Sequence, residues 1–79
     1  MVILKNIKKN DNYIECDIYP EDSTSCGHIL VDTATKDIIE YVLPEGYEWC
    51  RNHVNHARFA LVEIADQLEL PNEKIVMWY

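Results

Sequence analysis

Glycine, proline and basic residues are all scarce in this chain of 79 residues. There are two Gly and three Pro, too few for a collagen-like, linker-like or proline-rich disordered polymer. Seven Lys and Arg stand against 14 Asp and Glu, a formal net charge of −7. A binder of nucleic-acid backbone needs clustered bases that release counterions, so nucleic acid is not an expected partner. No apolar run approaches the roughly 18 residues of a membrane span. The opening Met1-Val2-Ile3-Leu4-Lys5 is too short for a secretory core and is broken at once by Lys5 and Asn6. A cytoplasmic location and no membrane partner are the expectation. Three cysteines, Cys16, Cys26 and Cys50, are an odd set and do not read as a disulfide framework.

What remains is 48% apolar and 27% charged, the balance of one small globular domain over residues 1–79. In Tyr13–Tyr19, Ile14, Cys16 and Ile18 alternate with Glu15 and Asp17, which predicts a strand with one buried face. The run Val2–Ile7 precedes it across the turn residues Lys8–Asn12, so the two form a predicted hairpin. A loop from Pro20 to Gly27 leads to a second hairpin, His28–Asp32 and Ile38–Leu43. In its second strand only Glu40 interrupts the apolar residues. By strict alternation Ile38 and Val42 share one side, and Ile39, Tyr41 and Leu43 the other. Such a strand calls for cover on both faces.

From Tyr47 the apolar period becomes helical. Tyr47, Cys50, Val54, Ala57, Leu61, Ile64, Ala65 and Leu68 form one stripe, predicting a helix over about Tyr47–Leu68 stopped by Pro71. The segment Lys74–Tyr79 reads as a fifth strand, joined to the fourth through a right-handed βαβ crossover. The expected fold is α+β, order ββββαβ: a four- or five-stranded, mostly antiparallel sheet with one long helix on one face. The other face then needs cover. Trp78, Tyr41, Tyr13 and Tyr19 are expected there, covered by a homodimer partner or by the Pro20–Gly27 loop.

One group of side chains carries recognisable chemistry. Cys26 and His28 open the third strand, and Cys50, His53 and His56 lie in the first helical turns. Cysteine and neutral histidine are zinc ligands, which makes these five a candidate metal site. The spacing works against it. Cys50 and His56 are six residues apart, so they point about 120° from each other at 100° per residue. Cys50 also sits on the apolar stripe, where a thiol packs as a small hydrophobe. A thiol nucleophile, with Cys50 near the helix dipole or Cys26 in its loop, is the related reading. There is no CxxC, HExxH or glycine-rich phosphate loop, and Glu21-Asp22 is the only adjacent acidic pair.

The helix also carries aromatics off its stripe. Trp49, His56 and Phe59, with Trp78, are candidate partner-binding residues, because aromatics dominate interface hot spots. Arg51 and Arg58 form a basic edge beside them. The expected function is a non-enzymatic protein-binding or homodimeric assembly module. Zinc or thiol chemistry at the helix N-terminus is the alternative.

Overall fold

The computed structural model describes residues 1–78, and Tyr79, expected in the last strand, lies outside the described residues. Strands β1 (Val2–Lys9), β2 (Tyr13–Pro20), β3 (Gly27–Asp32) and β4 (Ile38–Val42) precede helix α1 (Arg51–Ala65) and strand β5 (Glu73–Val76). They form one five-stranded sheet in the order β4-β3-β2-β1-β5. Every neighbouring pair is antiparallel. Strands β4 and β5 run the same way but occupy opposite edges, so the crossover that contains the helix spans three intervening strands.

The hairpin turns are made by side chains standing in for backbone acceptors. Asn10 Oδ1 accepts from the N–H groups of Asn12 (2.8 Å) and Tyr13 (2.7 Å) between β1 and β2. Asp32 Oδ1 does the same for Ala34 (2.8 Å) and Thr35 (2.9 Å) between β3 and β4, and these bonds hold its carboxyl below the ordinary carboxylate range.

Period two fails once inside β1, and the fold depends on it. Val2 and Leu4 are buried beneath the helix. Continued alternation would send Asn6 and Lys8 into the core. Instead the pairing with β2 shifts between Lys5 and Lys8. Asn6 takes up the extra residue with a left-handed φ of 56°, a conformation asparagine tolerates better than most residues. Its side-chain amide donates to Asp17 Oδ2 at 2.8 Å. After this bulge Ile7 is buried. Lys9 turns to the helix side and donates from Nζ to the Ala65 carbonyl at 2.7 Å. A similar shift between Leu30 and Val31 makes Ile39 the extra residue of β4. Ile38 and Tyr41 therefore share the helix side, rather than Ile38 and Val42.

Helix α1 rises about 22 Å over its length, close to the span of eight-residue β1. Val54, Ala57, Leu61 and Ile64 lie against Leu4, Ile14, Ile18 and Ile29 in one core. The helix is shorter than its apolar period suggests at both ends. Gly46 adopts φ +88°, and the carbonyls of Pro44 and Tyr47 each close a turn before Cys50, so residues 47–50 are not helical. At the other end the strands below stop at Lys9, no core remains to bury, and Leu68 is fully exposed. His53 and Ala60 are buried on the helix although the stripe omits them.

Trp78 and Tyr41 do not lie on the uncovered face. Both fall on the helix side of the sheet: Val76 and Trp78 pack on the core, and Tyr41 lies beside Val54. The uncovered face carries Ile3, Tyr19, Leu30, Val42 and Ile75, with Tyr13 at its end, set among Lys5, Glu15, Asp17, His28 and Glu40. The start of the 20–27 loop is drawn to the helix side through Glu21 and Asp22.

Two substitutions test this architecture. Asn6→Val should destabilise by about 1–2 kcal/mol, the cost of a branched side chain in a left-handed position, while Asn6→Gly retains most of the stability. Chemical denaturation of both separates the bulge requirement from a loss of polarity. Gly27 is the second site: a Cβ there would strike the Val42 carbonyl oxygen. Gly27→Ala should cost about 1–3 kcal/mol, as overpacking does. Amide exchange should show the loss concentrated in β4.

Candidate functional site

The five Cys and His candidates do not meet. His28 alternates with buried Gly27 and Ile29 and so points to the uncovered face. Its Nδ1 lies 3.5 Å from Asp17 Oδ1 there. Cys26 is exposed, beside the Tyr19 hydroxyl, whose phenol it pushes above the ordinary value. Cys50, His53 and His56 lie across the sheet from His28, at the start of the helix. Among the described residues, no group of three or more His, Cys, Asp or Glu is placed to hold a metal ion.

The helix start is built around a carboxylate that sequence spacing gives no reason to place there. Glu21 has φ 52°, and its backbone N–H donates to the Met1 carbonyl at 2.9 Å. One carboxylate oxygen lies 3.2 Å from the Met1 ammonium. The other lies 3.2 Å from His53 Nε2, within ion-pair reach but off the line of a hydrogen bond. His53 is 7% exposed. Its ring meets Trp49 edge-on with centroids 5.8 Å apart, and Trp78 edge-on at 4.9 Å. His56 stacks flat on Trp78 at 4.0 Å. Tyr47 donates from its hydroxyl to Asp22 at 2.7 Å, which pushes its phenol up. Two loops and the segment that follows β5 are thus fastened to the first helical turns.

Cys50 sits in the N-cap position, 1% exposed, and makes no side-chain capping bond. Burial and the neighbouring Glu21 carboxylate push its thiol above the ordinary value, against a smaller opposing effect of the terminal ammonium. A nucleophile needs the thiolate and access, and Cys50 is disfavoured on both counts. Cys16 is held higher still, at about 12, by burial and its acidic neighbours Asp17 and Glu15.

The partner-binding candidates divide. His56 and Trp78 are spent on each other and half-buried. Trp49 is 66% exposed, its indole N–H tied to the Gly46 carbonyl at 3.2 Å. Phe59 is 59% exposed under the Arg58 guanidinium, 4.4 Å from the ring centroid. More apolar surface lies in β4, where Ile39, Tyr41 and Val42 are all exposed on a sheet edge. Between that edge and the helix runs a groove of about 100 Å³, lined by Ile38, Tyr41, Arg51, Val54 and Asn55. A larger cavity of about 240 Å³ lies at the opposite end of the helix among Lys9, Asp11, Lys36 and Asp66, where Lys9 is committed to capping the last turn. Among the described residues, no helix is long and apolar enough to cross a membrane. Compared with family models, curated proteins and solved structures, the chain matches none.

The thiols give a direct check. In the folded protein Cys26 should react rapidly with a thiol reagent, while Cys16 and Cys50 react only as fast as the structure opens. A second fast thiol mapping to Cys50 would restore the nucleophilic reading.

Proposed function

We propose that the protein is a non-enzymatic protein-binding module, and that it binds through the β4 side of its sheet. The observation that carries this reading is the composition of β4 set against its position. Ile38-Ile39-Glu40-Tyr41-Val42 is an apolar strand at an open edge, with Val42 65% exposed. Its sequence calls for cover on both faces, and the helix reaches it on one side only, at Ile38 and Tyr41. Burying an Ile or Val side chain is worth about 1.5–3 kcal/mol, so cover from another chain offers a substantial gross gain. Exposed apolar edges are also where chains pair with other chains.

The net charge of −7 supports a protein occupant over nucleic acid. Zinc or thiol chemistry at the helix N-terminus has less support, because His28 lies across the sheet from Cys50, His53 and His56, and Cys50 is buried.

Site-specific photo-crosslinking tests the reading in the producing cell. A crosslinker at Val42 should capture one discrete species, either a partner or a second copy. The same group at exposed Glu63, on the outer helix face, should not. Equal labelling from the two positions would refute the assignment.

A further inference from the structure

The occupant of β4 can be specified further, on the footing that the protein-binding reading holds. We infer that the edge of β4 takes an extended segment of a different protein by strand addition, and that this segment carries a carboxylate for Arg51. Two features converge there. The outer backbone groups of β4 face no neighbouring strand, which is the condition for adding one. Beside the edge lies the groove of about 100 Å³, the volume of one branched aliphatic side chain. An added strand presents alternate side chains to that groove, which gives it a means of selection.

Charge decides the rest. Arg51 is the one charged residue lining the groove among the described residues. Among the described residues no carboxylate lies within ion-pair distance of it. The first turn of the helix contains no acidic residue either, and the carboxylate at the helix start, Glu21, lies against His53 and the Met1 ammonium. At physiological salt the general repulsion from the net charge is screened beyond about 8 Å, and the local contact with Arg51 governs. A second copy fits less well. Full five-residue antiparallel pairing of β4 with itself sets Glu40 directly opposite its own counterpart, a destabilising like-charge pair.

The probes are blocked seven-residue peptides of valine and threonine, one with a central glutamate and one with glutamine there. They are titrated at 0.15 M salt into the isotopically labelled protein, with amide shifts followed by NMR. The glutamate peptide should move the amides of Ile38–Val42 and the Arg51 side chain. It should bind about fivefold tighter than the glutamine peptide, the upper range for an exposed charge pair. Arg51→Gln should abolish the preference while both peptides still bind β4. N-methylation of the peptide backbone should abolish binding by both. Equal affinities, binding that survives N-methylation, shifts at Ile3, Tyr19 and Leu30 instead, or no binding up to millimolar concentration would each overturn strand addition with an acidic segment. A Val42 crosslink to a second copy would overturn it too, while leaving the protein-binding reading intact.

Discussion

A helix is about 10 Å wide, whereas five strands span about 19 Å between the outermost two. One helix cannot cover that sheet, and most features of this protein follow from where it is placed. Helix α1 lies over β1, β2 and β3, whose inward residues are the fully buried ones. Both edge strands are left with partial cover. β5 is only four residues long and begins with Glu73 and Lys74, a polar start that makes a poor template for further pairing. β4 has one charge among five residues and keeps its outer surface apolar. The uncovered area is therefore unequal in character on the two sides of the molecule.

The position of the helix is fixed at its two ends by different chemistry. At the C-terminal end Lys9 places a cation on the last-turn carbonyl of Ala65, a favourable match to the helix dipole. At the N-terminal end the N-cap residue, Cys50, makes no side-chain capping bond. A ring cluster of Trp49, His53, Trp78 and His56 holds it instead, with Glu21 closing over the imidazole. The histidines that suggest a ligand set are, in the fold, packing rings. An imidazole in T-shaped contact with two indoles is a mostly apolar contact with one polar handle.

Much of the fold was legible because it rests on local periodicity. The alternation in Tyr13–Tyr19, the apolar spacing of the helix and the turn residues around Asn10 and Asp32 each imply one conformation, and the element order follows. The remainder depends on events without a periodic signature. The Asn6 bulge reverses the inward set of β1, and only the matching strand shows that it must. The bulge at Ile39 similarly regroups β4. Trp78 turns inward because β5 pairs with β1 in the register Val2 with Val76, which no composition argument supplies. Of the candidate site, the doubly apolar character of β4 was readable. The pairing of Glu21 with His53 was not, since it joins a loop and a helix 32 positions apart.

The same Val2–Val76 register has a consequence for how the sheet is completed. β1 is an interior strand, yet one of its neighbours is the last strand in the chain. The hairpins β1–β2 and β3–β4 close over short loops, but the second side of β1 is filled only when the intervening chain has been ordered. That pairing is the most non-local in the fold and belongs to the slow end of assembly. Until it forms, Ile3 and Leu4 border an open edge, and the nascent molecule presents two pairing edges of apolar character rather than the single one it keeps.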